Sequence, residues 1–440
     1  MDITEMKKAL FEGGIVGAGG AGFPTHAKLS GQADTIILNC AECEPLIKVD
    51  RQLMTEYVEE VLSGMQTLVD TLEAKEGIIA IKKSYVSSIE AVNSCINNYK
   101  SLRLHILPDI YPAGDEVVLI YETTGRIVPQ GKIPILVGCI VVNVETVLNI
   151  YRKLTEDKDV ITKYVTVAGL VNNPITAEVP VGTSVKRLIE LAGGTTTEDF
   201  VMIMGGPMTG RICNQYDLVS KTTKAVLVLP PNSPPVTKRQ STTKSNLKAA
   251  MSACSQCSMC TSLCPRNLLG AAIKPHEFMR AISNGITYNV DPFLNTFFCV
   301  SCGLCEMYSC HQGLSPRSLL DEYRNGLRAK GVKAPERENK PVNTLREERK
   351  VPEHRLLNRL GLAKFDLAAP MTCDTDVKEV KLLLRQCIGA PCSASVKAGD
   401  KVTEGQIIGM PKEGELGVYL HASITGTVTA VNDSFIAIAR

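Results

Sequence analysis

Cys254-Ser255-Gln256-Cys257-Ser258-Met259-Cys260-Thr261-Ser262-Leu263-Cys264-Pro265 and Cys299-Val300-Ser301-Cys302-Gly303-Leu304-Cys305-Glu306-Met307-Tyr308-Ser309-Cys310 hold eight of the chain's sixteen cysteines. Each run sets three thiols at two-residue gaps, so that one tight turn of backbone presents three sulfurs to a common centre, with a fourth further along. The second run departs from the first in its ending. Four residues rather than three precede Cys310, and His311 stands where Pro265 follows Cys264.

In two-cluster ferredoxins the fourth cysteine of such a run ligates the other cluster. The spacing therefore predicts one [4Fe–4S] cluster on Cys254, Cys257, Cys260 and Cys310, and a second on Cys299, Cys302, Cys305 and Cys264. Structural zinc also uses Cys-x2-Cys pairs, but it closes a tetrahedron with four ligands, and a third cysteine at the same gap is surplus to it. A disulfide framework belongs to small secreted domains. This chain has 440 residues, opens with MDITEMKKAL rather than a signal peptide, and has no apolar run long enough to span a bilayer. A reduced, soluble, cytoplasmic protein is expected.

The length implies about three domains, and an apolar fraction of 44% supports ordinary packed cores. A net charge of +2, an aromatic content of 5% and the absence of Trp argue against a basic, base-stacking surface for nucleic acid.

Working toward the N-terminus, Gly13-Gly14-Ile15-Val16-Gly17-Ala18-Gly19-Gly20-Ala21-Gly22 is a glycine-rich loop of the kind that lets backbone N–H groups approach a phosphate or a flat ring. A strand over 35–39 follows and releases Asn39-Cys40-Ala41-Glu42-Cys43-Glu44 at its end. Open α/β sheets place ligands at such strand ends. A helix is predicted over 51–73, strands over 78–81 and 104–107, and a further helix over 85–99, an alternation that argues a mostly parallel α/β domain. Two more polar clusters, Tyr111-Pro112-Ala113-Gly114-Asp115-Glu116 and Asn143-Val144-Glu145-Thr146, lie beside apolar elements.

On these motifs the segment 10–150 resembles the FMN-binding domain of the respiratory complex I flavoprotein and of its RnfC-type relatives in ion-pumping ferredoxin:NAD oxidoreductases. The whole chain, including the HASITGTV ending, resembles the cobalamin reductases of propanediol-utilisation microcompartments. The resemblance implies that Gly17, Gly19, Gly20 and Lys28 surround the flavin phosphate and ring, with Asn39, Glu42, Tyr111, Gly114, Asp115, Glu116, Asn143 and Thr146 completing the pocket. Glu44 would lie toward NADH as electron donor. Ala18 stands where the complex I pattern has Arg, so the contact made by that Arg is not carried over.

The expected architecture is multidomain α/β. It comprises a Rossmann-like FMN/NADH-binding domain (1–155), a β-grasp domain like the soluble-ligand-binding modules of this group (156–230) and a helical two-[4Fe–4S] ferredoxin-like domain (245–330). A charged linker (331–375), with one short helix where Leu356-Leu357-Asn358-Arg359-Leu360 brings apolar periodicity, and a C-terminal barrel-sandwich hybrid (376–440) complete it. The β-grasp domain reads as a spacer between flavin and clusters or as a surface touching cobalamin. Residues 230–245, rich in Pro, Ser and Thr, read as a linker. The barrel-sandwich resembles biotinyl and lipoyl carriers, but Met410–Gly417 lacks their lysine motif, so a docking module is expected. Cys40 and Cys43 flank the flavin pocket. Cys95, Cys139, Cys213, Cys373, Cys387 and Cys392 show no ligand spacing and read as buried thiols.

The resemblance implies a reductase that passes electrons from NADH through FMN and two [4Fe–4S] clusters to cobalamin, taking cob(III)alamin to cob(II)alamin and cob(I)alamin for coenzyme B12 recycling during 1,2-propanediol degradation. An adenosyltransferase and a microcompartment shell protein are the implied partners. The alternatives are an RnfC-like electron-input component of a ferredoxin:NAD oxidoreductase and a redox scaffold docked to a shell.

Overall fold

Ile36-Ile37-Leu38, Ile78-Ile79-Ala80-Ile81 and Ile140-Val141-Val142 are continuous apolar runs, the pattern of strands covered on both faces. The computed structural model describes residues 1–29 and 32–440, and in it these runs form three of the four strands of one sheet. Its order is Leu102–Leu107, Glu76–Lys82, Thr35–Cys40 and Cys139–Asn143, every pairing being parallel. Chain order reverses on either side of Thr35–Cys40. The crevice beyond the C-terminal ends of Thr35–Cys40 and Cys139–Asn143 is thus the topological switch point, where such sheets bind ligands.

The helix expected over 51–73 is two helices, Val49–Glu56 and Val58–Thr71, separated at Tyr57, whose φ of −122° and ψ of 35° leave the helical region. Helix Val58–Thr71 lies close against Val144–Glu156, because Gly64 has no Cβ to meet Val147 Cγ1, which would stand 2.9 Å away. Asn143 ends its strand and caps Val144–Glu156 by accepting from Glu145 N at 3.1 Å.

A six-stranded sheet follows in the order Met371–Cys373, Ile175–Pro180, Thr162–Gly169, Ala225–Leu229, Val201–Met204 and Arg211–Cys213, accompanied by helix Val185–Leu191. One of its edges comes from the stretch expected to be a charged linker. That stretch also supplies strand Val351–Pro352, paired with Ile110–Tyr111, and helix Glu353–Leu360, whose Leu356, Leu357 and Leu360 are buried in the same core as the flavin-type sheet. Residues 351–373 are therefore packed structure. The one short helix expected here on the apolar period of Leu356 to Leu360 is present, and it enters a core rather than lying on a connector. The presumed linker at 230–245 likewise contains helix Pro234–Gln240 and the start of Thr243–Ala253, with prolines at the first helical positions of Pro234–Gln240, where no N–H is required.

The cysteine runs sit among helices Thr243–Ala253, Pro275–Ser283 and Pro316–Ala329, whose common core contains Phe278, Leu319 and Leu320. The C-terminal module has two small sheets, one ordered Glu379–Leu383, Phe435–Ala439, Gly426–Val431, Lys401–Val402 and the other Ser393–Ala394, Ile407–Met410, Leu420–His421. It docks on the six-stranded sheet through Ser423 Oγ, which donates to Val181 O at 2.6 Å, and through Val181 itself, which enters its core. Of the cysteines expected to be buried, Cys95, Cys139 and Cys213 are, Cys387 and Cys392 are half-buried, and Cys373 on its edge strand is exposed.

The parallel sheet and the six-stranded sheet are joined by buried charges. Lys163 and Glu145 are each 1% exposed and form an ion pair, and Lys163 also donates to Ala18 O at 3.4 Å. Burial holds the Lys163 ammonium below the usual lysine value even against its Glu145 partner. Removing one member of such a pair leaves a bare buried charge, whereas replacing both by apolar groups is far milder. Lys163→Met is expected to cost about 3–5 kcal/mol by chemical denaturation, and the double change Lys163→Met with Glu145→Leu to recover most of it. A single variant as stable as the parent would contradict this reading.

Candidate functional site: a two-walled cleft beside paired cysteine cavities

Gly17 N donates to Phe23 O at 2.9 Å and Thr25 N to Ile15 O at 3.1 Å, which closes the glycine-rich segment into a hairpin and pushes residues 18–22 out as its tip. The tip is held from behind, where Ala18 N donates to Thr146 Oγ1 at 2.9 Å. A Cβ on Gly19 would stand 2.7 Å from Asn143 Nδ2, so only a bare backbone fits there. Gly20 has nothing within 4 Å of its Cβ direction and faces open space.

That space is a cleft of about 750 Å³ at the sheet's switch point. Of the residues expected around flavin and NADH, Gly19, Gly20, Asn39, Glu42, Glu44, Gly114 and Asn143 line it. The others stand behind the wall. Gly17 closes the hairpin, Thr146 holds Ala18, and Lys28 pairs with Glu116 at 2.7 Å. Asp115 caps helix Glu116–Thr124 and pairs with Arg266 at 2.9 Å. Tyr111 is buried and donates through its hydroxyl to Cys302 O at 2.5 Å. Cys43 accepts from Gly114 N at 2.9 Å, and burial pushes its thiol up to about 12.

The opposite wall comes from the six-stranded sheet and its loops, including Gly205, Gly206, Thr209, Arg211, Thr223 and Lys224. Glu44 crosses to it, accepting from Met208 N at 2.8 Å and from Thr209 Oγ1 at 2.5 Å. A Cβ on Gly206 would fall 2.0 Å from Glu44 Oε2, so the glycine is what lets the loop approach. Burial raises the Glu44 carboxyl, partly offset by these donors. Deeper in, Asp50 bonds Lys224 on one oxygen and accepts from Asn143 Nδ2 at 2.8 Å on the other, while its backbone N–H donates to Glu42 Oε1 at 2.9 Å. Burial would lower the Lys224 value, but Asp50, Glu42 and Glu145 outweigh it and hold the ammonium above the ordinary lysine range. Sequence reasoning missed Asp50 and Lys224. Asp50 stands six residues past the Asn39–Glu44 cluster, in the first turn of helix Val49–Glu56, whereas Lys224 is one lysine in a Lys-Thr-Thr-Lys turn and carries no local signal.

The eight run cysteines surround two cavities. Cys254, Cys257, Cys260 and Cys310 line one; Cys264, Cys299, Cys302 and Cys305 line another. The two runs repeat one backbone device. A left-handed residue flanks the middle cysteine on each side, Gln256 and Ser258 around Cys257 and Ser301 and Gly303 around Cys302. Three of these are not glycine and so carry strain, which persists only where surroundings impose it. The turns aim donors at sulfur: Ser301 N reaches Cys299 Sγ at 3.4 Å, Gln256 Nε2 reaches Cys254 Sγ at 3.2 Å, and Leu314 N reaches Cys310 Sγ at 3.3 Å. Burial, then neighbouring thiols, pushes Cys260 up to about 12, and burial takes Cys264 up to about 11. Among the described residues no three His, Cys, Asp or Glu side chains close on a single ion. Four sulfurs around an open cavity with N–H donors behind them fit a polynuclear iron–sulfur cluster better than one tetrahedral zinc. His311 lines the first cavity and is exposed.

Val300 lines both the cleft and the second cysteine cavity. The first cavity faces outward, with Cys257 exposed.

Four family models match the chain: the Nuo51 FMN-binding domain over 10–152, the SLBB domain over 164–212, the 4Fe-4S dicluster domain over 253–315 and the RnfC barrel sandwich hybrid domain over 369–439. Cobalamin reductase PduS of Salmonella typhimurium is 39% identical over 100% of this chain and 97% of its own length. The protein of the same name from Citrobacter freundii is 40% identical with the same coverage. The C component of the Na(+)-translocating ferredoxin:NAD(+) oxidoreductase complex of Acetobacterium woodii is 34% identical over 61% of this chain and 59% of its own.

The glycine tip yields a direct test of the cleft. Gly20→Ala adds a methyl group to open space, so the variant is expected to unfold like the parent yet bind FMN at least about tenfold more weakly, a difference of about 1.4 kcal/mol, by fluorescence titration. Unchanged FMN affinity would remove the tip from the site.

Proposed function

The chain belongs to the family of cobalamin reductase PduS, and from that membership we propose that it passes electrons from NADH, by way of FMN and two [4Fe–4S] clusters, to cobalamin, reducing cob(III)alamin to cob(II)alamin and cob(I)alamin. The observation that carries the proposal is the shared wall at Val300 between the large cleft and one cysteine cavity. FMN supplies the conversion of a two-electron hydride into single electrons, and iron–sulfur clusters carry those one at a time.

The chain's own residues position and tune. Gly19 and Gly20 leave backbone amides bare at the cleft, and Asn39 and Asn143 offer amide groups at the strand ends for a polyhydroxyl chain. Lys224 supplies the buried positive charge and Asp50 fixes it. Val300 lines the space on both sides, between the cleft and the second cysteine cavity. Tyr111 fixes the carbonyl of Cys302 from the flavin-domain side, which ties the cysteine turn to the cleft. The set Cys264, Cys299, Cys302 and Cys305 is assigned to the cluster beside the cleft, and the set Cys254, Cys257, Cys260 and Cys310 to the cluster facing outward, where an acceptor as large as a corrinoid has access. N–H donors to sulfur favour the reduced, more negative state of such clusters.

The same membership motivates the finer parts of the proposal. They are an adenosyltransferase that takes up cob(I)alamin, a shell protein as docking partner, and a place inside a cytoplasmic microcompartment for coenzyme B12 recycling in 1,2-propanediol degradation. Among the described residues no helix is long and apolar enough to cross a membrane. Membership of an ion-translocating complex is the weaker reading, because that relative aligns with only 61% of the chain.

Anaerobically purified protein, with iron, sulfide and flavin quantified, is expected to generate the cob(I)alamin spectrum from NADH and hydroxocobalamin. Absence of bound flavin together with no NADH turnover to any acceptor would overturn the proposal. Cys264→Ala should deplete the cluster assigned to Cys299, Cys302 and Cys305 and leave the other EPR signal intact. Selective loss of the other cluster would contradict the assignment.

A further inference from the structure

The two cysteine cavities have matching ligand sets but unequal charge. No lysine or arginine lines the outward one. The one beside the cleft is lined by Arg266 and Arg317, whose side chains are 18% and 13% exposed. Each guanidinium has a carboxylate partner, and neither carboxylate lines the cavity. Asp115 stands 2.9 Å from Arg266. Glu306, whose side chain is fully buried, stands 3.5 Å from Arg317, and its other oxygen accepts from Ser318 N and Oγ at 2.9 Å. Each pair therefore presents its positive end to the cysteines. The Nε–H of both arginines is buried, and among the described residues neither meets an acceptor. Orphaned donors on side chains that line a cavity fit an anionic occupant. Arg359 reaches Cys310 O of the outward set at 3.4 Å, but from the surface, where water screens its charge.

We propose that Arg266 and Arg317 raise the reduction potential of the cluster assigned to Cys264, Cys299, Cys302 and Cys305, so that the flavin can pass electrons to it despite its burial. Cys305 is buried and none of these four cysteines is exposed, whereas Cys257 of the outward set is. An electron arriving on an iron–sulfur group adds one negative charge while no bond forms or breaks, and burial disfavours the added charge. Water compensates it at the outward cavity. At the other cavity protein groups must, and two guanidiniums face it. Net charge, hydrogen bonds to sulfur and solvent exposure are the protein's levers on such a potential; here positive charge stands in for the water that burial removes. On the proposed route from FMN through two clusters, on which this assignment rests, the same two residues set the driving force of the first transfer out of the flavin.

The test is an EPR-monitored redox titration of anaerobic holoprotein with dithionite and mediators, which needs neither NADH nor cobalamin. The cleft-side signal is the one that Cys302→Ser removes. Arg317→Met is expected to disfavour the reduced form of that cluster at least about tenfold, a fall of about 59 mV in its midpoint for one electron, while the outward cluster and FMN keep theirs. Arg266→Met should move the same midpoint the same way. Arg317→Lys, which keeps the charge, should stay near the parent. Arg317→Met with Glu306→Gln leaves no bare carboxylate and is expected to show the fall where the single variant sheds iron. An unmoved midpoint in Arg317→Met or in the double variant at full iron content would overturn the proposal, as would an equal fall in Arg317→Lys. A parent protein without two cluster signals would overturn the two-cluster route itself, and the proposal with it.

Discussion

The ion pair between Asp50 and Lys224, with Asn143 on the second carboxylate oxygen, is the interaction on which the arrangement depends. Asp50 and Asn143 belong to the parallel sheet and its crossings, and Lys224 to the turn entering a strand of the six-stranded sheet. Taking such charges out of water costs several kcal/mol per ion, recovered only when partners and hydrogen bonds are nearly complete. The pair therefore does more to fix relative position than to add net stability. With Lys163 and Glu145 it makes two buried charge contacts between the same two units. Each is satisfied only in one docking, so the cleft has two walls at a set separation.

Close approach of backbone is the second constraint, and it recurs wherever the site needs it. Gly19 admits Asn143, Gly206 admits Glu44, and Gly114 sits where a Cβ would come within 2.2 Å of Ala41 O. At the cysteine turns the constraint is the left-handed backbone, which Gly303 adopts freely but Gln256, Ser258 and Ser301 adopt with side chains in place. Strain of about 1–3 kcal/mol per residue is sustained there by the helices that grip the turns. Organised in this way, thiols that burial alone would keep protonated are gathered around two cavities, and Val300 lines both one of those cavities and the cleft.

Much of this was legible in the sequence, for reasons that differ by residue. Asn39 and Asn143 follow apolar runs whose length and composition mark buried strands, so their place at strand ends follows from period and position. The grouping of Cys264 with Cys299, Cys302 and Cys305 around one cavity lies where the spacing put it. Lys224, Thr209 and Gly206 were not legible, because they reach the site only through the docking of a second unit and no local pattern encodes that. In the stretch 331–375, dominated by Arg, Lys and Glu, the apolar period of Leu356 to Leu360 marked the one short helix, but not the strands Val351–Pro352 and Met371–Cys373, whose pairing partners lie far away in the chain. Lys28 and Glu116 are suited by chemistry to a phosphate or a hydroxyl chain, but they are close enough to neutralise each other.

The central claim is that the cleft communicates with the cysteine set it shares Val300 with, and through that set with the outward-facing one. EPR of the Cys302→Ser protein after addition of NADH, compared with dithionite, tests it most directly. The account predicts that NADH bleaches the flavin but leaves the cluster of Cys254, Cys257, Cys260 and Cys310 oxidised, while dithionite reduces it. Reduction of that cluster by NADH at the parent rate would contradict the account.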